Sequence, residues 1–265
     1  MVVLLTGCFA EYRLAREFIR QPGHGNILLV PANYTERMLP DRSLAGDTSG
    51  MLPDQVDSVL LSRSAVIRFI SDSIFLTRFT NKMIDELILL GYDVALPGMG
   101  DQEMIFENDS TWLFSIARIL FEEYQDTALV EDFYGGRLYS LGMPVLVVNM
   151  NFWFELSPVN SPVDTIGIWY ASRELSDRIE GYFFPDPATG EISFRYSMTP
   201  VDTALVYTEG ERMGALCAGY LYDLMMNRFI HEHWEKKHRR PVYMRYNRDN
   251  NTLDPAGPYR LYPVD

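Results

Sequence analysis

Cysteines, histidines and long apolar runs are scarce in this sequence, and each scarcity excludes a class of structure. The 265 residues include two cysteines, Cys8 and Cys217, and four histidines. No apolar run reaches the roughly 18 residues that a membrane-spanning helix needs. In HEHWEKKH, His231 and His233 are two positions apart and His233 and His238 are five apart, whereas the zinc-protease pattern needs four. We therefore predict no metal site and no bound cofactor.

Positive charge is also in the minority. The formal net charge is −13, but residues 236–265 alone carry +4, so the preceding part carries −17. An acidic body repels phosphates, which excludes generic binding to nucleic acid. The basic C-terminal part is either a solvated segment lying on the acidic body, or a segment that docks on an acidic partner or a lipid headgroup layer.

Motifs for catalysis are missing as well. The sequence has no G-x-S-x-G elbow, and its one glycine loop after a predicted strand, PGMGDQE, has no Lys, Ser or Thr in a phosphate-loop arrangement. We predict no catalytic residue. Gly98, Gly100 and Asp101 remain candidates for a ligand loop, although a plain turn explains the same residues.

The opening residues MVVLLTGC support two interpretations. Leu5 to Cys8 fits the lipobox of bacterial lipoproteins, in which the cysteine receives lipid, although few residues and no cation precede it. Alternatively, Val2 to Leu5 is a buried first strand followed by a helix and the apolar run NILLV. The first interpretation places lipid on Cys8 and makes Phe9 to Gly23 a tether.

The next part of the chain predicts a crossover unit. Ile27 to Val30 is a short apolar run closed by a proline, which favours a buried strand. From Ser71 to Leu90, apolar residues recur every three or four positions, which is typical of one face of a helix. GYDVALPG then indicates another strand. A strand, a helix and a strand in this order favour two parallel neighbours in one sheet.

Later segments predict antiparallel strands and a closing helix. STWLFSIARILFEEYQD is ambiguous between strand and helix, whereas MPVLVVNMNFWFELSP alternates like a strand with VDTIGIWYAS as its partner. Gly135 and Gly136 favour a tight hairpin, and a second hairpin is expected to turn at Pro187 to Gly190. GERMGALCAGYLYDLMMNRFI predicts a long helix whose small residues let it lie close to its neighbours.

Together these elements predict a mixed α+β fold with two layers. It contains a mixed sheet, a strand–helix–strand crossover, antiparallel strands and a C-terminal helix. Residues 1–25 are assigned to the lipobox remnant and tether, or to a first strand and helix. Residues 26–240 form a single domain, and residues 241–265 form an extended C-terminal segment.

The segments VLLTGC, NFWFELS, EGYFFPDPATGEISFRY and GYLYDLMMNRFI resemble the uncharacterised envelope lipoproteins of the Bacteroidetes type. NILLVPANY and NKMIDELILLGYDVAL give a looser, architectural similarity to the amino-terminal domain of the Tol-system propeller protein and to the curli-secretion lipoproteins. These resemblances imply an outer-membrane location on the periplasmic face and a role beside an envelope machine.

The leading functional hypothesis is a lipid-anchored periplasmic protein that binds an envelope protein and catalyses no reaction. Aromatic residues dominate binding hot spots, so Trp153, Trp169 and Tyr170 are the candidate partner-binding residues. One alternative is a cytoplasmic α/β enzyme with a nucleotide or sugar pocket near Gly7 and Pro97 to Gly100. Another is an acidic inhibitor that binds a basic protein.

Overall fold

The computed structural model describes residues 8–41, 51–98, 111–160, 167–235, 241–255 and 262–264. Helices in these ranges are α1 (Cys8–Ile19), α2 (Pro53–Arg63), α3 (Asp72–Leu89) and α4 (Thr203–Glu232). The strands are β1 (Asn26–Val30), β2 (Glu36–Met38), β3 (Asp93–Ala95), β4 (Thr111–Tyr134), β5 (Arg137–Pro158), β6 (Gly167–Ser176), β7 (Arg178–Pro185), β8 (Ile192–Thr199), β9 (Met244–Asn247), β10 (Thr252–Pro255) and β11 (Tyr262–Val264).

The main sheet is mixed, which confirms the predicted fold class. Its strand order is β11-β6-β5-β4-β1-β3, with β2 beside β4. The first strand, β1, runs parallel to both β3 and β4, and α3 lies between β1 and β3 in the chain, as the crossover prediction required. Strands β4, β5 and β6 are antiparallel neighbours.

Helices α3 and α4 cover one face of this sheet, which we call the inner face. Phe75 and Phe79 of α3 contact Phe121 of β4 and Phe152 of β5, with ring centroids 4.9 and 5.2 Å apart. All four rings are fully buried. The predicted apolar face of α3 is therefore the face that binds it to the sheet.

A β-bulge between Ile116 and Arg118 shapes β4. The pairing with β5 shifts there, so that one extra residue is accommodated. As a result, Phe114 and Ile116 before the bulge and Ile119 and Phe121 after it all lie on the inner face and are buried. The segment that was ambiguous in sequence is thus a strand of 24 residues.

Helix α1 is docked onto α4. Leu14, Ala15 and Phe18 are buried in the common core, and the Phe18 ring lies 5.3 Å from Tyr222 of α4. Residues 8–19 are therefore a packed helix and not a tether, because their apolar side chains find a buried surface. The alternative first strand, Val2 to Leu5, lies outside the described residues.

His24 lies at the end of the connection from α1 to β1, among aromatic rings. Its imidazole stacks on Phe18 at 4.3 Å, and its Nε2 is 3.4 Å from the Tyr222 hydroxyl. Burial lowers the pKa of His24 below its usual value, because the charged form loses solvation. Neutral imidazole is therefore the form that fits between α1 and α4.

The C-terminal segment is extended, but it is paired and anchored. Strands β9 and β10 form a hairpin, and β11 adds to the sheet beside β6. Asn227 of α4 donates to the Met244 carbonyl and accepts from the Met244 amide, at 2.6 and 2.7 Å. Asp223 accepts from the Tyr246 amide. These bonds fix the β9–β10 hairpin against α4.

Candidate functional site

The outer face of the sheet, opposite α3 and α4, carries two of the three aromatic residues predicted to bind a partner. Trp153 of β5 and Tyr170 of β6 are directly paired across the strands, and their ring centroids are 5.1 Å apart. The Arg118 guanidinium lies 5.0 Å from the Trp153 ring. Trp169 points to the inner face, where it is buried, because neighbouring residues of a strand face opposite ways.

A polar network lies beside this aromatic pair. Glu122 accepts hydrogen bonds from the side-chain amides of Asn151 at 2.8 Å and of Asn149 at 3.2 Å. The Tyr170 hydroxyl donates to the Asn151 oxygen. The Glu122 carboxylate thus holds the two amides, and Asn151 in turn positions the Tyr170 hydroxyl.

Tyr124 extends the network along β4. Its hydroxyl donates to Glu174 of β6 at 3.1 Å. Burial and this hydrogen bond to a carboxylate raise the pKa of Tyr124, so the phenol stays protonated at neutral pH. Tyr124 therefore acts as a donor that ties β4 to β6 across the outer face.

The acidic residues of β4 belong to different environments. Glu122 faces the outer network, whereas Glu123 is buried on the inner face and accepts hydrogen bonds from Ser64 and from three backbone amides, of residues 65 to 67. The alternation of the strand separates the two carboxylates. The sequence pattern does not distinguish the two carboxylates, so this structural role of Glu123 was not predicted.

Exposed apolar side chains are also found elsewhere among the described residues, on an arm formed by β4 and β5. Beyond the last β5–β6 pair, Val147 with Ser176, the two strands continue as a ribbon from Gln125 and Leu146 to Tyr134 and Arg137. At about 3.3 Å per residue, this arm is about 30 Å long. Two glycines form its turn, where the backbone angle φ is 58° and 77°, a conformation that suits a two-residue hairpin.

The two faces of the arm differ. One face packs on the β7–β8 ribbon: Met143 and Val145 are buried, and Tyr139 contacts Phe183 at 5.7 Å. The other, which we call the apolar arm face, carries Leu129, Phe133 and Leu138, which are 65%, 71% and 53% exposed. Phe133 and Leu138 are directly paired, and Leu129 lies on the same face four residues before Phe133.

The whole arm region is rich in exposed apolar groups. Eight of the eighteen large apolar side chains that are exposed in the described residues lie on the β4–β5 arm or the β7–β8 ribbon. They are Leu129, Phe133, Tyr134, Leu138, Leu141, Tyr182, Tyr196 and Met198. Sequence analysis found the turn at Gly135 and Gly136 but missed this surface, since nothing in the pattern showed that the sheet ends before the hairpin does.

The other predicted site residues are only partly described. Cys8 is the first residue of α1. Gly98 ends the described segment after β3, and Gly100 and Asp101 lie outside the described residues. His231 and His233 lie at the end of α4, and His238 lies outside the described residues. In the part of the chain that is described, no group of three or more His, Cys, Asp or Glu could hold a metal ion.

Comparison with known proteins adds no relative. No protein-family model matches this chain, and no curated protein is similar to it. Within the described ranges, no helix has both the length and the apolar character needed to cross a bilayer. The resemblance to envelope lipoproteins therefore remains a prediction from the sequence.

Proposed function

We propose that this protein is a partner-binding protein of the bacterial envelope, anchored by lipid on Cys8 and without a reaction of its own. The lipobox-like start supports the anchor. The apolar arm face supports the binding role, because soluble proteins rarely expose large contiguous apolar surface that has no partner. Trp153 of β5 and Tyr170 of β6 provide a second, half-buried surface on the outer face of the main sheet.

The observation that carries the proposal is the contrast between the two faces of the arm. Both faces carry large apolar side chains, but only one is covered by the β7–β8 ribbon. Glu131 lies on the apolar arm face between Leu129 and Phe133 and is exposed. The partner that fits this face is a protein with an apolar patch and a cation placed to meet Glu131.

Photo-crosslinking in cells of the native host tests the binding role. A photoreactive phenylalanine analogue at position 133 or 138 is expected to give a crosslinked product with one defined envelope protein. The same analogue at Asp85, an exposed position on α3, is the matched control and is expected to give none. Equal products from all three positions, or none from 133 and 138, would contradict the proposal. A product of two copies of this chain would replace the foreign partner with self-association.

Replacement of Cys8 by serine tests the anchor separately. The Cys8→Ser protein is expected to leave the membrane fraction and appear in the soluble periplasmic fraction, because serine offers no thiol for acylation. Cys217→Ala is the control, since Cys217 is buried in α4 and its loss leaves the anchor intact. Cys8→Ser protein that still sediments with membranes at 1 M salt, where exposed charge pairing is screened (Debye length about 3 Å), would refute the anchor.

A further inference from the structure

A cleft of about 610 Å³ lies between α1 and the β9–β10 hairpin. This volume falls in the range of sites that hold small ligands. Tyr12 and Arg16 line it from α1, Arg20 lines it from just after the end of α1, and Tyr246 and Asn251 line it from the hairpin. The cleft lies apart from the apolar arm face and from the outer-face network, so neither of those surfaces explains it.

Two unpaired cations face this cleft. Among the described residues, neither Arg16 nor Arg20 has an ion pair with a carboxylate. Eight other arginines of this acidic protein do pair with carboxylates: Arg37, Arg78, Arg118, Arg173, Arg178, Arg212, Arg228 and Arg248. Five further described arginines also lack a carboxylate partner: Arg13, Arg63, Arg68, Arg137 and Arg195. What distinguishes Arg16 and Arg20 is that both line the same cleft, and this placement favours an anionic ligand.

The spacing and the neighbouring groups narrow the ligand class. Arg16 lies in the last turn of α1 and Arg20 follows its end, and the Arg20 amide donates to the Arg16 carbonyl at 3.2 Å. This helical hydrogen bond keeps the two residues on one face, with Cβ atoms roughly 6 Å apart. Planar guanidinium groups bind phosphate with two parallel hydrogen bonds. The Tyr246 hydroxyl donates to the Asn251 oxygen at 3.2 Å, which leaves the Asn251 amide nitrogen as a further donor.

One carboxylate also lines the cleft. Asp254 is held by the Thr252 hydroxyl at 3.5 Å. Two guanidinium groups against one carboxylate leave the lining residues with a net positive charge. Asp254 repels any anion, but a phosphate offers the two guanidinium groups more acceptor oxygens than a single carboxylate does, so each guanidinium can form two parallel hydrogen bonds with it.

We propose that this cleft binds a phosphate group, with Arg16 and Arg20 as its ligands and Asn251 as a neutral donor. The group belongs either to a soluble phosphorylated molecule or to a phospholipid headgroup. Both sources share the same chemistry, and the experiment separates them.

The experiment uses the full chain with Cys8→Ser, so that an attached lipid contributes nothing. Titration calorimetry with inorganic pyrophosphate at fixed salt measures binding of a soluble phosphorylated ligand. Flotation with phosphatidylcholine vesicles, with and without phosphatidic acid, measures binding to a phospholipid headgroup. Arg16→Ala/Arg20→Ala is expected to weaken pyrophosphate binding at least about tenfold, because charge-assisted contacts are lost. Arg13→Ala, an exposed arginine of the same helix outside the cleft, is expected to change it less than about twofold.

Each outcome decides the proposal. Pyrophosphate binding that depends on Arg16 and Arg20, without vesicle binding, supports a soluble phosphorylated ligand. Flotation with phosphatidic acid vesicles that is lost in the double variant supports a headgroup. Absence of both, or equal losses in Arg13→Ala and in the double variant, overturns the proposal. Unfolding midpoints of all variants are compared, and the exposed positions of Arg16 and Arg20 predict unchanged folding.

Discussion

Replacement of Glu123 by glutamine is expected to lower the free energy of unfolding by about 3 kcal/mol. The Glu123 carboxylate is buried and accepts hydrogen bonds of 2.6 to 2.9 Å from the amides of Ala65, Val66 and Ile67, as well as one from the Ser64 hydroxyl. These amides begin the single 3₁₀ turn between α2 and α3. Glutamine loses the charge and turns an NH₂ group toward donors, so buried amides lose their acceptor.

Chemical denaturation measures this effect, with Glu131→Gln as the matched control. Glu131 lies on the same strand but is exposed on the arm, so its loss is expected to change stability by less than about 0.5 kcal/mol. Similar small values for both variants would show that water reaches the 3₁₀ turn and replaces the carboxylate. Hydrogen exchange at residues 65 to 67 provides a local check, since the amides that Glu123 holds should exchange faster in Glu123→Gln.

Replacement of Gly214 by alanine is expected to destabilise the protein by about 2–3 kcal/mol. Helices α3 and α4 approach so closely that a Cβ at Gly214 would lie 2.3 Å from the Phe79 carbonyl oxygen. That neighbour is backbone, which cannot rotate away. The helices must therefore separate, and the aromatic contacts between α3 and the sheet loosen with them. The better helix propensity of alanine offsets only about 1 kcal/mol of this loss.

Gly219 provides the control on the same helix. No described atom lies within 4 Å of a Cβ placed there, and the residue lines an open cleft between α3, α4 and the β9–β10 hairpin. Gly219→Ala is therefore expected to stabilise the protein by about 0.5–1 kcal/mol, because alanine loses less backbone freedom on folding. Opposite shifts of the two thermal midpoints are the expected result. A neutral Gly214→Ala would mean that α3 and α4 pack less tightly than the structure shows.

The sequence predicted the central architecture because its patterns are local. Ile27 to Val30, the apolar face of α3 and the strand after Gly91 each follow one period, and together they define the crossover. β4 could not be assigned because the bulge after Ile116 interrupts the alternation that identifies a strand. Its apolar residues then occur at mixed spacings, which a helix would also produce.

The candidate sites were less predictable because they depend on which elements meet. Trp169 and Tyr170 are neighbours in sequence, but the strand places their side chains on opposite faces. The side chains of Glu122 and Glu123 likewise lie on opposite faces of the sheet. The arm is exposed because β6 leaves β5 near Asp177. The Asp177 backbone amide donates to the Leu146 carbonyl there, and the Asp177 carboxylate accepts from the Leu146 amide. The periodicity of the sequence does not show at which residue a neighbouring strand stops pairing.

The docking of α1 has a mechanical consequence for an anchored protein. A lipid on Cys8 would be joined to the body through a helix that Leu14 and Phe18 pack into the core. Such a helix is a rigid connection, whereas a linker would be a flexible one. The fold would then set both the distance of the domain from the bilayer and its orientation relative to the bilayer. The apolar arm face would then lie at a distance from the lipid that the packing of α1 on α4 helps to determine.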